Sequence, residues 1–161
     1  ASRLEKGELR NDPKRVQLKD LLDGILLSVQ PEVEEKHLQV EVTMRSKKKT
    51  ILVDPEMLRE ILTNLIGNAM KYTKEKGLVA ISVSEKGNRT RFEIQDSGIG
   101  VPKSEHGHLF QKFYRGSNAA KLGFEGTGLG LYTVKRLVER LGGIIGFTSE
   151  EGKGSTFWVE I

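Results

Sequence analysis

The chain has 161 residues, 37% hydrophobic and 30% charged, with a formal net charge of +4; that is enough for one core but not two large ones, and too apolar for a disordered chain. Cysteine is absent and histidine occurs three times, which excludes disulfide scaffolds, thiolate nucleophiles and iron–sulfur centres and leaves too few soft ligands for a structural zinc. No apolar run reaches the roughly 18–20 residues of a membrane span, and the mild basic excess suits a phosphate-bearing ligand or an acidic partner without demanding nucleic acid, so the expectation is a soluble, cytoplasmic piece of a longer chain.

Residues 1–13 are polar and stop at Asn11-Asp12-Pro13; they are expected to be a helix tail and linker. A short extended piece near Arg15–Leu18 precedes a helix whose buried face is Leu18, Leu21, Leu22, Ile25, Leu26 and Val29, and Pro31 is expected to kink or interrupt it. Leu38–Arg45 alternates as a half-buried strand. Arg45 and Lys47–Lys49 form a basic run expected to be a solvated hairpin turn into a second strand, Thr50–Val53. Asp54 is placed to cap the next helix, with Pro55 at its first position. Leu58, Ile61, Leu62, Leu65, Ile66 and Ala69 make one stripe of that helix. Glu60, Asn64, Asn68 and Lys71 make another, roughly 130° around it. Met57 and Met70 fit as core filler.

Leu78–Ser84 and Arg89–Gln95 alternate and predict a hairpin across Glu85–Asn88. Periodicity then fails from Gly98 to Gly126, a length usually functional or disordered in a compact domain. Helical spacing returns at Leu131, Val134, Leu137, Val138 and Leu141, and Gly142-Gly143 ends it. Strands Ile144–Ser149 and Ser155–Ile161 close the chain, with Trp158 as packing. This order predicts an α+β fold: a two-layer α/β sandwich with a mixed sheet of about five strands, three main helices on one face and a long lid.

Four segments carry chemistry. Asn64 and Asn68 stand one turn apart, and carboxamide oxygens suit a hard cation such as magnesium; Lys71 reaches an anion on the same side and Tyr72 offers a ring. An ordinary surface helix has the same pattern. Asp96-Ser97-Gly98-Ile99-Gly100 ends a strand. Its glycines let backbone approach a flat ligand, and a buried carboxylate there needs a donor such as a purine amine. A plain strand-to-loop turn is the alternative. Gly126-Thr127-Gly128-Leu129-Gly130-Leu131 opens a helix whose free amides favour phosphate, yet it is neither a Walker loop nor a dinucleotide fingerprint. Between the last two lies Leu109-Phe110-Gln111-Lys112-Phe113-Tyr114-Arg115, aromatic and basic. His106 and His108 are expected to be exposed loop histidines.

Each segment alone is unremarkable; the four in this order and spacing resemble the N, G1, F and G2 boxes of the catalytic ATP-binding domain of sensor histidine kinases. The wider group also holds the gyrase, MutL and Hsp90 ATPases and shares the Bergerat fold. The likeness covers about residues 14–161, and Ser2–Leu9 is similar to the end of the helical dimerisation and phosphoacceptor domain. It implies ATP and Mg2+ as ligands, with Asn68 on the metal, Asn64 supporting metal and phosphates, Lys71 on phosphate and Tyr72 on the base. It implies that Asp96 accepts from the adenine amino group in a pocket shaped by Gly98, Ile99 and Gly100. Phe110 and Phe113 would anchor the ATP lid, and Arg115 would meet the γ-phosphate. Gly126, Gly128 and Gly130 would line the phosphates with Thr127, Leu129 and Leu131 beside them, and Thr156 would lie near the adenine.

The hydrolysing relatives carry a Glu one turn before the metal Asn. Here that place holds Asn64, which cannot take a proton from water. The implied activity is therefore a protein-histidine kinase whose catalytic residues are Asn64, Lys71 and Arg115, donating phosphate to a histidine. No histidine here fits the phosphoacceptor pattern of the resemblance (His37 is followed by Leu38), so the acceptor is expected upstream. A response regulator is implied through a homodimeric parent, the fragment alone being a monomer. A hydrolysing ATPase of the same fold, or a nucleotide-binding module that docks partners without transfer, are the alternatives.

Overall fold

The structure, a computed structural model, describes residues 10–161; the likeness of Ser2–Leu9 to a helix tail lies outside them. Strand β1 (Lys14–Gln17) leads into α1 (Leu18–Glu35), followed by β2 (Gln39–Met44), β3 (Thr50–Val53), α2 (Pro55–Tyr72), β4 (Leu78–Lys86) and β5 (Arg89–Asp96). A 3-10 turn (Lys103–His108) and the short α3 (Ser117–Lys121) lie in the segment expected to lack structure. The chain ends with α4 (Gly130–Arg140), β6 (Ile144–Glu150) and β7 (Gly154–Glu160).

Five strands form one sheet in the order β2-β4-β5-β7-β6, with β2 parallel to β4 and the rest antiparallel. Alternation turns Val79, Ile81 and Val83 of β4, Phe92 and Ile94 of β5, and Val159 of β7 inward. Helices α2 and α4 cover this face, against β5 and β6, while α1 packs along α2. Met57, Leu58, Ile61, Leu62, Ile66 and Met70 of α2 are almost wholly buried between the layers, as are Val134, Leu137 and Val138 of α4. The two methionines expected as core filler are core.

Asp54 caps α2 by accepting from the amides of Glu56 and Met57 at 3.0 and 3.1 Å. Its other oxygen accepts from the Asp12 amide at 2.9 Å, which ties the entering chain to the helix start.

The helix is not interrupted at Pro31, and Ser46–Lys49 is not the turn expected. Helix α1 runs through Pro31 to Glu35. The proline ring deprives the Leu27 carbonyl of its amide partner, but Leu27 is 75% exposed, where solvent can take that partner's place. Ser46–Lys49 is no hairpin turn: β3 pairs antiparallel with β1 in a separate two-stranded sheet, and β2 pairs with β4. The Arg45 amide donates to Val83 O, and the Ser46 hydroxyl and Lys48 amide both donate to the Glu85 carboxylate. These bonds lead the chain along β4 instead of back along β2.

Candidate active site

The inward row of β5 is Thr90, Phe92, Ile94 and Asp96, so the alternation that builds the core delivers Asp96 to its edge, 9% exposed. Its Oδ1 accepts from the Gly98 amide at 2.9 Å, and the backbone amide of Ser155, its register partner on β7, also donates to the carboxylate. Burial outweighs both bonds and pushes the carboxyl up to about 6. A buried acceptor with spare lone pairs at the end of a cleft calls for a donor from the ligand. Gly100 closes this end. Its φ is +66°, and a side chain there would start 2.0 Å from the Glu150 carbonyl at the end of β6.

The cleft, about 390 Å3, runs from Asp96 along the second stripe of α2. That is within the range of small-molecule sites. Asn64, Asn68, Lys71 and Tyr72 all line it. Asn64 spends its amide nitrogen on the Glu60 carbonyl at 2.9 Å, which leaves its oxygen facing Gly130 at the start of α4. Burial lowers the Lys71 ammonium pKa. The nearby Arg115 guanidinium lowers it further, while Glu32 and Glu125 partly offset both. Two cations drawn together at one mouth favour an anion between them. The α4 N-terminus adds backbone amides at the same place.

The lid is folded by specific pairs. Phe110 packs edge-on against Phe147 and Phe157 of the sheet. The Glu105 carboxylate accepts from the Tyr114 hydroxyl and from the amide and hydroxyl of Ser117, at 2.9 and 2.7 Å for the latter two; the hydroxyl bond to Tyr114 leads the causes that hold it below the usual glutamate range. Asn118 Nδ2 donates to Gly100 O at 2.9 Å, which binds the lid to the Asp96 loop. The Phe113 amide donates to Gly128 O at 3.0 Å, joining the aromatic segment to the glycine cluster. Gly128 has φ +71°, and a Cβ there would meet Phe113 backbone at 2.6 Å. Arg115 reaches the Phe124 carbonyl, and Phe124 lies edge-on to Tyr72 with ring centroids 5.4 Å apart.

The cleft therefore gathers Asn64, Asn68, Lys71, Tyr72, Asp96, Ile99, Gly100, Arg115, Gly126, Thr127, Gly128, Gly130 and Leu131. Gly98 acts from behind, through its amide on Asp96, and Leu129 caps α4 without lining the cleft. Phe110 anchors the lid base outside the cleft. Phe113 holds the lid only through its backbone amide: the residue is 65% exposed, and Lys112 lies over its ring. Thr156 needs correction. Adjacent residues of a strand face opposite ways, so Ser155 and Phe157 line the cleft while Thr156 faces the other side of the sheet. His106 is not simply exposed, since its Nε2 pairs with Val101 O and its ring meets Phe147. Sequence reasoning missed Ser155, which the alternation could have supplied. It also missed Tyr114, Asn118 and Glu105, whose pairings leave no periodic signal. Among the described residues no helix is long and apolar enough to cross a membrane, and no cluster of three His, Asp or Glu side chains could hold a metal unaided.

Residues 53–161 match the family described as histidine kinase-, DNA gyrase B- and HSP90-like ATPase. The chain is 38% identical over 165 residues to the sensor histidine kinase GacS of Pseudomonas protegens, covering 99% of this chain and 18% of that protein. It is 42% identical over 127 residues to the circadian input-output histidine kinase CikA of Synechococcus elongatus, covering 79% and 17%. The chain thus spans about a fifth of the length of these relatives. Among solved structures, full-length ShkA in complex with AMPPNP superposes with a TM-score of 0.82 at 33% identity, over 94% of this chain and 31% of that one. The catalytic domain of histidine kinase ThkA gives 0.80 at 22% identity, over 93% and 95%, a likeness of fold. A further ThkA structure, with a TM-score of 0.77 at 18% identity, is a complex with the response regulator TrrA; it covers 98% of this chain and 44% of that one.

Proposed function

The chain belongs to the histidine kinase-, DNA gyrase B- and HSP90-like ATPase family, and from that premise we propose that it binds Mg-ATP and donates the γ-phosphoryl group to a histidine on a separate helical domain of a sensor kinase. The observation that carries this reading is the polarity of one cleft. A buried carboxylate acceptor, Asp96, sits at the closed end, and Lys71, Arg115 and the α4 amides sit at the open end. Such a cleft selects a ligand with a hydrogen-bond donor at one end and a polyanion at the other. An adenine nucleotide has that shape.

The donor set fits magnesium: hard carboxamide oxygens on one helix face, with no protein-only cage among the described residues. Asn68 would hold the ion with phosphate oxygens and water completing its shell, and the ion would neutralise phosphate charge there. Lys71 and Arg115 hold the phosphates and their developing charge, Asp96 fixes the base, and the Tyr72 ring flanks it. Asn64 orients without taking a proton, so nothing at its position activates water. A neutral imidazole brought from the partner domain needs no such base. The work left to this domain is positioning and charge stabilisation, the main terms in phosphoryl transfer. Docking to the helical acceptor domain and delivery of phosphate to a response regulator belong to the parent chain.

Calorimetric titration tests the reading, using a non-hydrolysable ATP analogue with and without Mg2+ and GTP alongside. Adenine-selective, magnesium-enhanced binding with negligible steady hydrolysis is expected. No binding to folded protein refutes it, and steady turnover of ATP would show that Asn64 does not block water attack.

A further inference from the structure

The end of α2 bears Lys71 and Tyr72, and its last carbonyls have no partners within the helix. The Ala69 carbonyl accepts from the amide and hydroxyl of Thr73, at 3.2 and 2.6 Å. The Tyr72 carbonyl accepts from the Ile99 amide of the Asp96 loop at 3.2 Å. The remaining acceptors, Met70 O, Lys71 O and the next free carbonyl Thr73 O, all converge on one group, the Lys36 ammonium, at 2.9, 2.7 and 3.2 Å. An ammonium has three N–H donors, and here three carbonyls face it.

Lys36 lies just past α1, 35 residues from Lys71 in sequence. Its own carbonyl accepts from the Lys76 amide at 2.8 Å, so one residue grips the turn after α2 from both sides. Its side chain is 25% exposed, with Glu32 3.6 Å away. The ammonium also lies 5.9 Å from the ring centroid of Phe124, the lid residue that meets Tyr72. A positive charge at this helix end also complements the helix dipole.

We propose that Lys36 is a positioning residue of the nucleotide site. By satisfying the open end of α2 it fixes the backbone that presents Lys71 and Tyr72 to the cleft, and it seats Phe124 when the lid closes on them. It touches no ligand and acts only through these residues. The inference rests on the nucleotide reading above.

The test compares wild type with Lys36→Met, which keeps the stem and removes every donor. Binding of a fluorescent ATP analogue is titrated well below both melting temperatures, with the Lys71, Tyr72 and Ile99 amide resonances followed by NMR. About a tenfold loss of affinity is expected, the size that one misplaced phosphate contact gives. Those three amides should shift, while the preference for adenine over guanine set by Asp96 persists. A residue that merely stabilised the fold would lower the melting temperature and leave the affinity of the folded protein unchanged; that result overturns the proposal. If Lys36→Met does not fold, Lys36→Gln, with two donors and no charge, replaces it: wild-type affinity with shifted Lys71 and Tyr72 amides overturns the proposal, whereas wild-type affinity with those amides unmoved is the rescue that the retained donors predict. Absence of binding by wild type itself would instead strike the nucleotide reading.

Discussion

Asp96→Asn separates stability from binding in a way the buried carboxylate makes calculable. Burial raises this carboxyl from its ordinary 3.8 to about 6. Between those two values the folded state holds the proton more tightly than the unfolded chain. This group's contribution to stability is therefore greatest at low pH and falls as pH rises through that window, the reverse of a salt-bridged aspartate. At about 1.4 kcal/mol per pH unit, the gap amounts to about 3 kcal/mol of destabilisation once the group is ionised. Replacing the carboxylate with an amide removes that cost and keeps the bond from the Gly98 amide, and at most the bond from Ser155 is lost, about 1 kcal/mol against it. For a domain of this size about 1 kcal/mol moves the melting temperature by about 2–4 °C. Asp96→Asn should therefore melt several degrees above wild type at pH 8, and the difference should close near pH 4. Adenine-nucleotide affinity should fall at least tenfold at pH 8, because a donor would replace the acceptor proposed to meet the amino group. Thermal melts across pH 4–8, with calorimetric titration at pH 8, supply both numbers. A melting difference independent of pH would show that Asp96 is not perturbed by burial. Unchanged affinity would remove it from base recognition.

Three further outcomes follow from the geometry. Asn68→Ala should abolish the magnesium-dependent part of nucleotide binding while leaving the melting temperature nearly unchanged, measured by titration with and without the metal. Gly100→Ala should cost about 2 kcal/mol or more, because φ is +66° and the new Cβ would start 2.0 Å from the Glu150 carbonyl; a wild-type urea midpoint would contradict the packing described. Ser155→Ala should alter nucleotide affinity and Thr156→Ala should not, since only the first faces the cleft; equal effects in a binding assay would count against the strand register at Asp96.

What could be seen in the sequence was what local physics controls. The Asp54 cap, the two stripes of α2 and the alternation of β4 and β5 each follow from spacing within a few residues, and all are present. The same alternation, extended one residue further along β7, distinguishes Ser155 from Thr156; fixing the motif by its threonine missed it. Pairings across long stretches of chain were not legible. The Ser46–Lys49 run has the composition of a hairpin turn, and only the parallel pairing of β2 with β4 shows that it links two sheets. Lys36 looks like one surface lysine among many until α2 ends beside it. Glu105 joins two parts of a lid that has no periodicity to reveal it.

The site lies where elements stop. Strand β5 ends at Asp96, α2 ends at Tyr72 and α4 begins at Gly130. At each of these ends the backbone has groups that regular structure cannot pair. The fold disposes of them unequally. The carbonyls closing α2 are all taken up inside the protein, by Thr73, Lys36 and Ile99. The amides opening α4 lack intrahelical acceptors and border the cleft beside Lys71 and Arg115. Helix α2 thus hides its negative end while α4 offers its positive one. That difference, added to the buried carboxylate at the far side, gives the cleft its direction. A ligand with a donor at one end and a polyanion at the other can enter favourably in only one orientation. The phosphoryl donation proposed above requires this, since its terminal phosphate would have to reach the open mouth where a partner's nucleophile can approach.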